Sequence, residues 1–336
     1  MSTSVVAPFV IAKLHGMRSK LFEGARLDAL TTLRSPFEMM SVVFPDADVR
    51  ERRDFERKVV ERHVRDLDRL RIVLGGRERA FFDWQLERYR IENVKVLLRA
   101  WKDREAAGDV GRLLATLPPH YELPVEKLLA APKLADFARL LPGRRFELGI
   151  ERGAAAFNQT RKLFFVEAGL DAMYFTELRR REQALPGADR AAVEPLLRRE
   201  VLVYNALLAA RARLNLGMAA DDVSPFFTGG VNPARFEPML RANDFAGMLA
   251  ALPSRRMILG DAEPRDAAEL QQRAYERLYR AANAAFYGSA SHMGVLEGFY
   301  YIKRVELANL IRVAELLRQE RPSADIAREL VRLEKA

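Results

Sequence analysis

Apolar residues recur at intervals of three and four along most of this chain, and alternating β-branched stretches hardly occur. That period predicts helices throughout and an all-α fold class. Between residues 55 and 70, Phe55, Val59, Val60, Val64, Leu67 and Leu70 form one apolar stripe set among arginine, glutamate and aspartate. The stripe is the face to be buried, and the charges between can pair along the helix for about 0.2–0.5 kcal/mol each. Proline and glycine gather at Leu117-Pro118-Pro119, at Leu141-Pro142-Gly143 and from Asp222 to Pro233, where Gly229-Gly230 lies. Such clusters end helices, so three modules are expected, at 1–120, 121–220 and 221–336. Ser323, after Pro322, is expected to cap a last helix running through Ile326, Leu330 and Leu333.

One helical pattern occurs three times. It reads Arg90-Ile91-Glu92-Asn93-Val94-Lys95-Val96-Leu97-Leu98-Arg99-Ala100, then Val201-Leu202-Val203-Tyr204-Asn205-Ala206-Leu207-Leu208-Ala209-Ala210-Arg211, then Arg304-Val305-Glu306-Leu307-Ala308-Asn309-Leu310-Ile311-Arg312-Val313-Ala314. The asparagines stand 112 and 104 residues apart, and each is preceded by a phenylalanine in an apolar segment, at Phe37, Phe137 and Phe245. A period this long describes a bundle rather than one turn of a solenoid. Asparagine is a poor helix former and needs a reason to sit in mid-helix. Two reasons are open: a buried amide tying the helix to its neighbour, or three amides lining a cavity and touching a partner.

A length of 336 residues with 49% hydrophobic content supports two or three cores. The absence of cysteine excludes disulfides and thiolate metal sites, and it fits a reducing compartment. The least charged stretch, Ala281 to Ile302, still holds Asn283, Ser289, Ser291, His292 and Glu297, so no membrane-spanning helix is expected. At the N-terminus the apolar run 5–12 precedes Lys13 instead of following a cation, the wrong order for a secretion signal. The net charge of +9 comes from arginine spread through helices that also carry acids. A diffuse excess gives salt-sensitive attraction without readout, so no nucleic acid is expected as a partner.

Catalytic patterns are absent. His15, His63, His120 and His292 are scattered, with no metal-ligand spacing, and there is no phosphate loop, dinucleotide fingerprint or nucleophile elbow. Gly75-Gly76 and Gly229-Gly230 read as helix ends and turns. No catalytic residue, cofactor or metal is assigned. The aromatic pairs Phe81-Phe82, Tyr174-Phe175 and Tyr300-Tyr301 read as core, with a lipid-interface role as the alternative.

The segment Phe9-Val10-Ile11-Ala12-Lys13-Leu14-His15-Gly16-Met17-Arg18-Ser19-Lys20-Leu21-Phe22 resembles the opening of the C subunit of archaeal and bacterial V-type (A/V-type) ATPases, whose eukaryotic counterpart is the d subunit. The similarity continues through Glu92-Asn93 to Ala100, Gly169-Leu170-Asp171-Ala172-Met173-Tyr174-Phe175-Thr176-Glu177-Leu178, Phe227-Thr228-Gly229-Gly230 and Gly298-Phe299-Tyr300-Tyr301-Ile302-Lys303-Arg304. It implies a funnel-like protein of three similar helical bundles related by pseudo-threefold symmetry. That protein would be present in one copy per complex, peripheral at the cytoplasmic face of the membrane. It would be a non-catalytic rotor component, holding the central-stalk subunits on one side and the cytoplasmic loops of the membrane rotor ring on the other, and passing rotation to proton or sodium transport. The reading from another class is a free-standing helical scaffold or adaptor.

Candidates for partner contact are Arg18, Lys20, Arg99, Arg211, Lys303, Arg304 and Arg312, because arginine is enriched among interface hot spots. The repeats differ in detail: Tyr204 stands where the first repeat has Glu92, and Glu315 where the others have Arg99 and Arg211.

Overall fold

The structure, a computed structural model, describes residues 3–46, 51–103 and 110–333. No strand occurs among them. In chain order the first helices are α1 (Thr3–Arg18), α2 (Ala25–Thr31), α3 (Pro36–Val43), α4 (Arg52–Asp68) and α5 (Gly76–Lys102). Then come α6 (Val125–Ala130), α7 (Leu134–Arg139), α8 (Arg144–Thr160), α9 (Phe164–Gln183), α10 (Gly187–Ala210) and α11 (Ala220–Val223). The last are α12 (Glu237–Arg241), α13 (Phe245–Ala250), α14 (Arg255–Ile258), α15 (Ala267–Gly288), α16 (His292–Arg318) and α17 (Ser323–Glu329).

Helix starts follow local chemistry. Ser35 accepts the Glu38 N–H ahead of Pro36 at the first turn of α3, Asp244 accepts from Gly247 at α13, and Asp266 accepts from Glu269 at α15. Each supplies an acceptor for an otherwise orphan N–H. Ser323 does otherwise. Pro322 occupies the cap position, the Ser323 hydroxyl lies 3.2 Å from that of Thr31, and α17 stops at Glu329, before Leu330 and Leu333. A hydroxyl with a tertiary partner is not available to the helix end behind it.

The chain forms two compact units, one of residues 1–73, 186–200 and 255–336, the other of 74–185 and 201–254. Helix α10 contributes its start to the first and its end to the second. In the first unit, Leu27, Leu30, Met39, Met40, Val43 and Phe55 from the early helices pack with Leu310, Val313, Leu317, Ile326 and Leu330 from the late ones. The expected stripe of α4 is buried at Phe55, Val59, Val64, Leu67 and Leu70, with Val60 at its edge.

In the second unit α8 and α9 pair at backbone contact. A Cβ built on Gly153 would lie 2.1 Å from the Phe165 carbonyl oxygen, and one on Gly169 would lie 2.2 Å from that of Gly149. The pair α15 and α16 of the first unit uses the same device, with Gly298 2.6 Å from the Ala282 oxygen by the same construction. The three aromatic pairs are all buried, which settles them as core. Phe37 is 59% exposed, while Phe137 is fully buried, because α3 packs through Met39, Met40 and Val43 instead.

Candidate functional site

The three asparagines make the same contact. The Asn93 Nδ2 donates to the Ala115 carbonyl at 2.8 Å, and the Ala115 N–H donates back to Oδ1 at 2.9 Å. Asn205 exchanges the same two bonds with Thr228, at 3.1 and 3.2 Å, and Asn309 with Val331, at 2.8 and 3.0 Å. The partner lies 22, 23 and 22 residues downstream, in each case outside any α-helix. A side-chain amide copies a peptide group, one donor and one acceptor in one plane, so it can pair with a backbone amide that no strand or helix satisfies. All three side chains are buried, Asn205 completely. At the second clasp the Thr228 hydroxyl also donates to the Ala172 carbonyl at 2.9 Å, and Gly229 turns the chain away at φ 75°, where a Cβ would strike Val201.

The seven cations divide into two groups. Arg18 ends α1 with its guanidinium on Asn283 Oδ1 at 2.7 Å and Glu23 at 3.1 Å, over the rings of Phe286 and Tyr287. Lys303, whose side chain is 4% exposed, pairs with Asp66 at 3.0 Å and Glu306 at 3.5 Å. Arg304 reaches Glu200 at 2.6 Å, and the Tyr301 hydroxyl donates to the other oxygen of that carboxylate at 2.6 Å. Burial together with Glu200 holds the Tyr301 phenol well above its usual range, so it stays a donor. The charges of Arg18, Lys303 and Arg304 are therefore committed inside the first unit. A buried ion pair left with one partner is costly, so these residues hold the fold.

Lys20, Arg99, Arg211 and Arg312 remain on the surface. Arg312 lies 3.5 Å from Glu329 of α17. Arg99 and Arg211 converge on the first turn of α9: Arg99 bonds Glu167 at 2.8 Å with its side chain 56% exposed, and the Arg211 guanidinium stands 6.0 Å from the Phe164 ring. One turn back along α5, Lys95 bonds Asp171 at 2.6 Å and Glu92 at 2.9 Å. Burial pulls the Lys95 ammonium down, but the two carboxylates outweigh it and hold the group above its usual range. Burial drives the Asp171 carboxyl upward against Lys95. The result is a two-rung charged ladder between α5 and α9, open to solvent at Glu92 and Arg99. Sequence reasoning missed Glu167, Asp171 and Glu200. Lys95 inside Val94-Lys95-Val96-Leu97 was the available signal, since a cation in an apolar run implies a buried acid.

Among the described residues no helix is long and apolar enough to cross a membrane. The family model described as ATP synthase (C/AC39) subunit matches residues 10–329. The chain is 23% identical over 279 residues to the C subunit of the A-type ATP synthase of Methanosphaera stadtmanae, covering 79% of this chain and 71% of that one.

Proposed function

The chain belongs to the ATP synthase (C/AC39) subunit family, a non-catalytic part of a rotary complex, and from that premise we propose that it couples the central stalk to the membrane rotor ring. In this reading it sits peripherally at the cytoplasmic face, one copy per complex, and passes rotation between stalk subunits and the ring's cytoplasmic loops, serving proton or sodium transport. The observation that carries it is a family match spanning nearly the whole chain. A threefold arrangement, with bundles at 1–120, 121–220 and 221–336 around a funnel, is part of the proposal and draws support from the repeated asparagine clasp. A coupling piece must transmit torque without deforming, and backbone segments clamped to helices serve that need.

Arg99 and Arg211 are the proposed stalk contacts, close together at one end of α9 and both exposed. The test is titration calorimetry with the purified central-stalk subunits at low and moderate salt. A stoichiometric complex that weakens with salt is expected, since charge-led docking is screened. Arg99→Glu with Arg211→Glu should leave the helical circular dichroism unchanged and weaken binding at least about tenfold, the loss of a few charge-assisted hydrogen bonds. No binding at either salt would return the chain to the scaffold reading.

A further inference from the structure

A recess of about 600 Å³ lies within the second unit, where the start of α8 faces α5 and the last turn of α9. Its apolar part is Trp84, Phe146 and Leu148, the last 49% exposed. On one side stand Arg145 and Arg181, whose guanidiniums lie 5.8 and 5.0 Å from the Trp84 ring. These two, and Arg180 beside the recess, converge on a single carboxylate. Glu177, 7% exposed, takes Arg145 at 3.1 Å and Arg180 and Arg181 at 2.7 Å each. Burial works against that carboxyl's charge, but the bonds from Arg180 and Arg181 prevail and hold it below its ordinary range.

Three guanidiniums carry fifteen N–H donors, of which Glu177 and the Ala80 carbonyl occupy few. Glu177 and its three arginines sum to two positive beyond neutral. The side chains of Arg145 and Arg180 are half exposed or more, so their remaining donors face solvent in an orientation that Glu177 already fixes. Forked donors held in this way match a planar carboxylate. Asp83 and Glu87 also line the recess. Cations and acids lining one recess suit a polypeptide, which carries side chains of both signs, better than a uniformly anionic membrane surface.

We propose that this recess docks an acidic segment of another subunit of the complex, with a carboxylate on Arg145 and Arg180 and a large apolar side chain against Trp84 and Leu148. The proposal rests on the coupling role above and adds a surface to it, separate from Arg99 and Arg211. Hot-spot anchors of this kind, an aromatic-lined pocket beside arginine, carry most of the energy of an interface.

The test places photoreactive benzoylphenylalanine at position 148 and irradiates the assembled complex. A cross-link to one other subunit, within a peptide containing aspartate or glutamate, is expected. Arg145→Gln with Arg180→Gln should cut its yield by at least about tenfold, since each lost charge-assisted bond approaches a decade in affinity. Glu177 keeps Arg181 in that variant, and circular dichroism checks that the helices persist. Leu148→Asp, at an exposed position, should weaken assembly in the same direction by adding a negative charge. A chain that co-purifies with the complex but cross-links nothing, or lipid alone, or links equally well without the two arginines, overturns the docking site and leaves the coupling role standing. A chain that fails to co-purify overturns the coupling role, and the docking site with it.

Discussion

At the residue scale the asparagine clasp sets how these side chains respond to change. Alanine at 205 would leave the Thr228 N–H and carbonyl without partners where no water reaches, since Asn205 is fully buried. Two lost hydrogen bonds with stranded backbone groups give an expected loss of about 2–4 kcal/mol for Asn205→Ala in urea unfolding. Asn205→Asp should fare no better, because it keeps the acceptor, loses the donor and buries a charge. The three asparagines were legible from their period, but their partners were not: Ala115 and Val331 are ordinary residues, and only folding brings them to the amide. Glu87 offers a second case. Burial pushes its carboxyl up to about 7, against the pull of Arg90 and Arg181. The unfolded chain releases this proton near 4.5, the folded one near 7, so the folded state holds more protons between those values and stability falls as pH rises through the window. The loss is on the order of 2–3 kcal/mol. Glu87→Gln, which still accepts from Arg90, should flatten the decline in Tm between pH 5 and 8; an unaltered profile would assign the slope to other groups.

At the element scale, glycine decides how closely helices approach. Gly153 meets the Phe165 carbonyl across α8 and α9, a backbone contact that cannot yield as a flexible side chain would. Gly153→Ala should therefore force the pair apart and cost about 2–4 kcal/mol in chemical denaturation, the scale of an overpacked core. Gly16 is the control. It lies in α1 with nothing near its would-be Cβ, so Gly16→Ala should stabilise by about 0.5–1 kcal/mol through helix propensity alone. Helix identity and some boundaries were legible from period and punctuation, as at Leu141-Pro142-Gly143. What was not legible needed a neighbour. Phe37 keeps step with Phe137 in the repeat, yet it is exposed, because α3 turns Met39 and Met40 inward. Lys303 and Arg304 looked like surface because they are charged, yet Asp66, Glu306 and Glu200 wait for them, Asp66 and Glu200 from elements far away in sequence.

At the scale of the whole molecule, the first unit is closed by segments from both ends of the described chain. Leu27, Leu30 and Met39 share a core with Leu310, Ile326 and Leu330, Thr31 meets Ser323, Asp28 pairs with Arg332, and Asn309 clamps Val331. Ile326 and Leu330 are each 1% exposed, and burial of such side chains is worth about 1.5–3 kcal/mol apiece. Removing residues 320–336 would strip both, together with the third clasp. The face that α2 presents to α17 would then be wetted, although some 290 residues separate it from the cut. Hydrogen exchange should show amides of residues 25–43 losing protection by at least an order of magnitude in the truncated chain, while those of α8 and α9, which take their packing from the second unit, keep theirs. Protection lost equally in α8 and α9 would mean that the two units unfold as one cooperative body. Protection retained in residues 25–43 would mean that α16 alone suffices to hold the early helices, leaving the last segment free for another role.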